Sequence, residues 1–425
     1  MPFTPNRRFK ASPRLFVGAE GMRYETEDGR QVLDAIAGLW CVNAGHGQRP
    51  IVEAIKAQAE RLDFVSSFQM SHPAAFELAD RLAAMTPGDL NHVFFSNSGS
   101  EAVDTALKIA RAYHVARGEG GRRKFISRLK GYHGVGWGGV SVSGIGRHRR
   151  DFGPALEVDH LALPYDAARS AFSRGQPEAG ADYADELSAL FQLHDPSTVA
   201  AVIVEAVTGS GGVYPPPKGY LERLRAICDA HGVLLIFDEV ITGFGRLGEP
   251  FAGQALGVVP DLMTCAKGMT NGAVPMGATF AGEKVFDAFM AAPESQIELP
   301  HGYTYSAHPL ACAAGLATLD VYRDQDIFAR AAAIAGAWED RIHALRASPH
   351  VVDIRNIGLL AAIDLAPRPG EPGARGAACG QAAFDAGVLI RTSGDTIMLS
   401  PPLILSQADI DQITGTIASA LDGVV

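Results

Sequence analysis

One lysine stands alone in an apolar run. From Leu262 to Gly282 the chain reads LMTCAKGMTNGAVPMGATFAG, and Lys267 is its only charged residue. Burying an ammonium is expensive. Such a lysine either snorkels from a strand end to water or is kept as a free amine for chemistry. Desolvation lowers a lysine pKa from about 10.4, and the free amine is the form that attacks an aldehyde. Lys267 is therefore a candidate Schiff-base lysine. Upstream, Val233–Phe237 reads as a buried strand, followed at once by Asp238-Glu239. In open α/β sheets, carboxylates at such strand ends face the ligand crevice. Asp238 either caps a following helix or pairs with a cationic ring nitrogen, a bond of roughly 1.5–3 kcal/mol.

Ser96-Asn97-Ser98-Gly99-Ser100-Glu101 follows a short apolar strand and opens a long helical pattern. The run is either an ordinary capped helix start or an anion site. In the second case small residues let the backbone approach a phosphate, and free first-turn N–H groups bind it. Gly131-Tyr132-His133-Gly134 offers an aromatic that either joins the core or stacks on a planar cofactor. His133 could shape the same face or satisfy a local hydrogen bond. A protonated pyridine ring carrying an aldehyde and a phosphate describes pyridoxal phosphate (PLP), whose cationic ring is an electron sink. Two segments match GxGxxG, Gly134–Gly139 and Gly243–Gly248. Neither opens a convincing helix, so neither reads as a dinucleotide site.

These residues need a scaffold. The chain has 425 residues, enough for a large core and a smaller second domain. Apolar β-branched runs at Val93–Phe95, Lys124–Ile126, Val199–Val204, Val233–Phe237 and Ala278–Ala281 predict strands. Spacing near 3.6 predicts helices over Gly99–Arg117, Lys218–His231, Ala307–Arg323, Phe328–Leu345 and Gln407–Leu421. Alternation of the two predicts α/β with a mostly parallel sheet. Residues 166–185 and 367–376 read as irregular. From about Leu310 the order is helix, helix, strand, helix, strand, helix, read as a separate α+β domain.

Net charge is −10, from 37 basic and 47 acidic residues. That argues against nucleic-acid or anionic-membrane partners, which need clustered positive charge. Five cysteines without a CxxC pair argue against a disulfide framework or a zinc site, so no metal is expected. The opening MPFTPNRRFK lacks a secretion signal, and no apolar stretch reaches bilayer length. A cytoplasmic enzyme is expected.

In order along the chain come a Ser/Gly/Ser helix start, an aromatic, a strand with Asp, and a lysine about thirty residues later. That order resembles the fold-type I PLP enzymes. More specifically, the chain resembles the class III (omega) aminotransferases nearly end to end. FFSNSGSEAVDTALKIARAY, KGYHGV, VIVEAVTGSGGVYPPPKGYL and LLIFDEVITGFGRLG carry the likeness. HGYTYSAHPLACAAG and IRTSGDTIMLSPPL point to the beta-alanine:pyruvate and omega-amino acid:pyruvate branch.

The resemblance implies a large PLP-binding domain over 49–309 and a small α+β domain over 310–425, with residues 1–48 packing against the latter. It implies that Lys267 carries the cofactor and Asp238 pairs with its ring nitrogen. Gly99 and Ser100 would hold the phosphate, and Tyr132 would stack opposite Val240. His133 would shape the ring face, and Glu205 would order Asp238 and nearby loops. Thr304 would reach the phosphate of the other subunit's cofactor, making a homodimer with shared sites, or a tetramer. Trp40, Phe64 and Phe68 would line the substrate pocket, and Arg391 matches a mobile arginine for carboxylates. The implied reaction moves an amino group from an omega-amino acid or primary amine to pyruvate. Ala206 replaces the family's usual proline. Met398 stands where beta-alanine-specific relatives carry a polar amide, which favours amines or more apolar donors. Aromatic-amine or taurine donors, an aminomutase, a decarboxylase and a racemase on the same scaffold are the alternatives.

Overall fold

The computed structural model describes residues 1–424. Its centre is a seven-stranded sheet. The spatial order is His92–Ser96, Gly277–Ala281, Leu262–Cys265, Leu234–Asp238, Val199–Glu205, Lys124–Arg128, Val158–Leu161. Only Gly277–Ala281 runs against the rest, pairing antiparallel with both neighbours. The other neighbouring pairs are parallel. Val199–Glu205 is buried at every position. Strands covered on both faces read as continuous apolar runs, which is why VAAVIVE is legible as one. All five strands read from the sequence are present, lengthened or shifted by a residue or two. Val158–Leu161 and Leu262–Cys265 are additional.

Parallel order puts the carboxyl ends of these strands along one edge. Arg128, Glu205 and Asp238 end their strands there, and Lys267 lies two residues beyond Cys265. The helix Gly99–Ala116 starts at the same edge. Ser98 caps it by accepting from the Glu101 N–H, and Glu101 Oε2 accepts from the Asn97 N–H at 2.7 Å. Ala102, Val103, Ala106, Leu107, Ala110 and Tyr113 form its buried stripe.

Two four-stranded sheets complete the molecule. Phe16–Glu20, Arg23–Thr26 and Gln31–Asp34 form a meander, and Val388–Leu389 adds to it in parallel, with Val388 opposite Leu33. The start of the chain is thus hydrogen-bonded to its last forty residues. Val351–Ile357, Leu360–Leu365, Thr396–Leu399 and Arg391–Ser393 form the third sheet. The expected single strands of this region are hairpins, Val351–Ile357 with Leu360–Leu365 and Arg391–Ser393 with Thr396–Leu399. The helix Pro309–Asp324 is buried over much of its length and packs on Arg49–Arg61 and Pro73–Ala83. Residues 166–185 contain two short helical turns, and residues 374–385 form a helix. No helix among the described residues is long and apolar enough to cross a membrane.

Candidate active site

The strand ends and the helix start enclose a cavity of about 130 Å³. Gly99, Ser100, Tyr132, His133, Gly134, Glu205, Asp238, Val240, Ile241 and Lys267 line it. Eight of these ten are residues the sequence singles out. Gly134 and Ile241 are the additions.

Lys267 opens a 3₁₀ turn with φ of 47°, in the left-handed region. That conformation is strained for a long side chain and costs about 1–3 kcal/mol. Burial pushes its pKa down, against the opposing pull of Cys41, Asp238 and Glu205. The amine is therefore more readily deprotonated than a surface lysine. Asp238 is 5% exposed. Its Oδ2 lies 2.8 Å from His133 Nδ1, and its Oδ1 accepts from the Val240 N–H at 3.1 Å and Thr264 Oγ1 at 3.3 Å. The other ring nitrogen of His133, Nε2, is buried and has no partner among the described residues.

Glu205 is buried too, and burial, its largest influence, raises its pKa. Its carboxylate accepts from the Tyr132 N–H at 3.0 Å and the Gly209 N–H at 2.8 Å. It thereby fixes the backbone that presents Tyr132. Arg128, fully buried, supports the same point by donating to the Glu205 carbonyl at 2.6 Å and to Thr208 Oγ1 at 2.7 Å. The sequence reading passes over both Arg128, because it stands outside the motifs, and Thr264, because it is an uncharged residue in the run around Lys267.

The GVGWGG segment has a structural use. Gly134, at φ of +85°, crosses the helix start so closely that a Cβ would sit 2.5 Å from Ser100 Oγ. Ser100 Oγ accepts from the Val135 N–H, and Asp104 Oδ1 accepts from the Gly139 N–H. A six-residue helix, Trp137–Val142, starts inside the segment, contrary to expectation. The second match, Gly243–Gly248, is a loop of turns.

Trp40 and Arg391 stand beside the cavity. Lys267 Nζ lies 5.2 Å from the Trp40 ring centroid, and Arg391 Cζ lies 5.0 Å from it. Trp40 is buried, at φ of 58°. Burial lowers the Arg391 pKa, and its Nε has no partner among the described residues. Met398 is directly opposite Arg391 in the hairpin and is buried in a cluster with Trp40, Ile241 and Leu360. Ala206 is buried at the end of its strand. Phe64, Phe68 and Thr304 do not line the cavity of this chain. All three are exposed, with the Phe64 ring 5.8 Å from Tyr305.

The residues suit PLP. The Gly99 and Ser100 N–H groups find no acceptor among the described residues, as expected of a helix start that takes an anion. Val240 and Tyr132 line the cavity with apolar surface for a ring, and Asp238 supplies a buried carboxylate for a ring cation. Among the described residues no group of side chains could hold a metal ion.

This arrangement defines a PLP enzyme of the α/β type. The profile of the class III aminotransferases matches residues 6–421, and the chain belongs to that family. It is a PLP-dependent transaminase. It is 58% identical over 422 residues to an omega-aminotransferase of Caulobacter vibrioides, covering 99% of this chain and 96% of the relative. It is 47% identical to a beta-alanine–pyruvate aminotransferase of Pseudomonas aeruginosa, over 100% of this chain and 95% of the relative. Among solved structures, a thermostable (S)-enantioselective omega-transaminase from Thermomicrobium roseum superimposes with a TM-score of 0.94 at 35% identity. That match covers 100% of this chain and 96% of the other.

Proposed function

We propose that this transaminase moves an amino group from an omega-amino acid or primary amine to pyruvate. The products are L-alanine and an aldehyde, ketone or semialdehyde. Donor and keto acid use one cavity in turn, a ping-pong scheme. The observation that carries this is a desolvated lysine and a strand-end carboxylate in one small cavity, with an arginine beside Trp40 for a carboxylate. The names of the similar proteins support the donor and acceptor classes.

PLP, when bound, supplies the aldehyde that takes the amino group and a cationic ring that accepts electron density from the donor's carbon. The chain's own residues do the rest. Lys267 Nζ, whose pKa burial lowers, would hold the cofactor and take the proton from the donor's amine-bearing carbon. Asp238 keeps the ring nitrogen protonated. Gly99 and Ser100 bind the phosphate through their N–H groups. Val240 and Tyr132 clamp the ring faces, while His133 and Glu205 hold Asp238 and Tyr132 in place. Arg391 pairs with the keto-acid carboxylate and swings away for a donor without one.

The buried Met398 under Arg391 favours donors with an apolar far end. Trp40, Phe64 and Phe68 line the donor's entry, the phenylalanines together with a second copy of the chain. Thr304 reaches the phosphate of the partner subunit's cofactor. Exposed Phe64, Phe68, Met70, Phe76 and Tyr305 supply apolar surface for that homodimer. The domains divide at 48 and 309, and the pairing of Val388 with Leu33 supports the packing of the first segment against the small domain. A cytoplasmic location suits five unpaired cysteines.

A donor panel at fixed pyruvate tests the reading. Alanine must form only when pyruvate is present, without carbon dioxide release, and Lys267→Ala must abolish it. Pyruvate-independent conversion of a donor would make the chain a mutase, decarboxylase or racemase instead.

A further inference from the structure

One guanidinium ties together the segments that carry Lys267, Trp40 and Arg391. Arg246 lies in the loop beyond Asp238 and is fully buried. Its Nη2 donates to Asn43 Oδ1 at 2.6 Å. Its Nη1 donates to the carbonyls of Ser400 at 3.2 Å and Pro401 at 2.5 Å. These acceptors are neutral, so among the described residues the cation has no ion pair and its Nε no partner. A buried, unpaired charge is costly, and apolar filling would usually serve stability better. A fork that reaches two distant segments at once offers geometry that apolar residues cannot.

Each end of the fork leads to the active site. Asn43 is three residues beyond Trp40 and buried. Its Nδ2 donates to the Phe244 carbonyl at 2.8 Å, and its carbonyl accepts from the Leu403 N–H at 2.7 Å. Gly268, beside Lys267, packs so tightly on Asn43 that a Cβ there would approach Nδ2 to 2.7 Å. Next in the chain, the Ala44 N–H donates to Asn271 Oδ1, and Asn271 Nδ2 donates to the Gly45 carbonyl, both at 2.8 Å. Asn271 closes the turn that Lys267 opens. At the other end, Ser400 and Pro401 continue the strand Thr396–Leu399, which pairs with Arg391–Ser393. Trp40 is near both side chains, its ring centroid 5.2 Å from Lys267 Nζ and 5.0 Å from Arg391 Cζ.

We infer that Arg246 and Asn43 are positioning residues that set the spacing of Lys267, Trp40 and Arg391. Through that spacing they tune the preference for carboxylate-bearing substrates over carboxylate-free amines. The inference rests on the reading of Arg391 as the carboxylate partner. Both residues are buried behind the site, and neither lines the cavity. Lysine at 246 keeps the charge but cannot span Asn43 and Pro401 as a fork does. Alanine at 43 removes one anchor and leaves the cation in place.

The test measures KM for pyruvate and KM for a carboxylate-free amine in Arg246→Lys, Asn43→Ala, their double variant, Arg391→Ala and the native chain. Thermal midpoint and visible absorbance of the bound cofactor are recorded alongside. Arg246→Lys and Asn43→Ala should each raise KM for pyruvate roughly tenfold, the scale of one misplaced charge-assisted hydrogen bond, with the amine's KM within about twofold. The double variant should add little to either single change, as for two members of one device. Equal rises in both KM values, or a lowered midpoint with KM values unchanged, would reduce the pair to a structural role and overturn the inference. If Arg391→Ala leaves the pyruvate KM unchanged, the reading of Arg391 fails, and the inference with it. If Arg391→Ala raises it while the other variants do not, only the inference fails.

Discussion

Replacing Asp238 by Asn separates charge from shape. The carboxylate accepts from the Val240 N–H at 3.1 Å and from Thr264 Oγ1 at 3.3 Å through Oδ1 alone, so the amide oxygen of Asn can keep both bonds. Its nitrogen would then face His133 Nδ1, 2.8 Å away, which can accept if the ring proton moves to Nε2. That exchange breaks no hydrogen bond at Nε2, which has no partner among the described residues, and its cost is one buried N–H without an acceptor. The fold should survive, and what disappears is one negative charge in a buried site. In the ground state the loss is the difference between a charge-assisted and a neutral hydrogen bond, about 1–2 kcal/mol, or about 5–30-fold weaker cofactor binding. Turnover suffers more, because the charge acts where electron density develops. Losing one preorganised electrostatic contact of this kind costs about 10²–10³ in kcat. Absorbance titration with PLP gives the first quantity, and alanine formation at saturating cofactor gives the second. An Asp238→Asn enzyme with kcat within about threefold of the native value would refute the role assigned to this carboxylate.

Two further outcomes follow from the same geometry. Gly134→Ala should weaken PLP binding and lower the thermal midpoint together. The residue sits at φ of +85°, and the new Cβ would press on Ser100, so the loop must lift from the helix start. Titration and melting curves of the variant check this, and a cofactor affinity equal to the native one would contradict it. Second, the cofactor-free protein should begin to react more slowly with PLP only at a lower pH than an ordinary lysine would. An ordinary lysine loses about tenfold per unit below its pKa of about 10.4. Burial lowers the Lys267 pKa, so its free-amine fraction persists to lower pH. A tenfold drop per unit starting near pH 10 would mean that Lys267 is not desolvated.

Much of this site is legible in the chain because its residues sit at element boundaries. Asp238 ends a run of five apolar residues, and Ser98–Glu101 has the pattern of a helix cap, so both strand end and helix start can be read locally. Lys267 is conspicuous because its neighbours are apolar, though the strand Leu262–Cys265 before it is too short to show a period of its own. Other features depend on distant pairing. Nothing near Leu33 announces that it will lie beside Val388, and hairpins such as Arg391–Ser393 with Thr396–Leu399 are too short for a clear alternation. Arg246 looks like a loop arginine in GFGRLG. Only the fold reveals that it is fully buried between Asn43 and Pro401. Phe64, Phe68 and Thr304 rest on the resemblance alone, since in the single chain they face outward.

Covalent capture at Lys267 bears most directly on the whole account. The purified protein is loaded with PLP, reduced with borohydride and digested, and the peptides are weighed by mass spectrometry. The account predicts one pyridoxyl-phosphate adduct per chain, on the peptide containing Lys267 and at that residue. An adduct confined to another lysine, or no adduct at all, would contradict it.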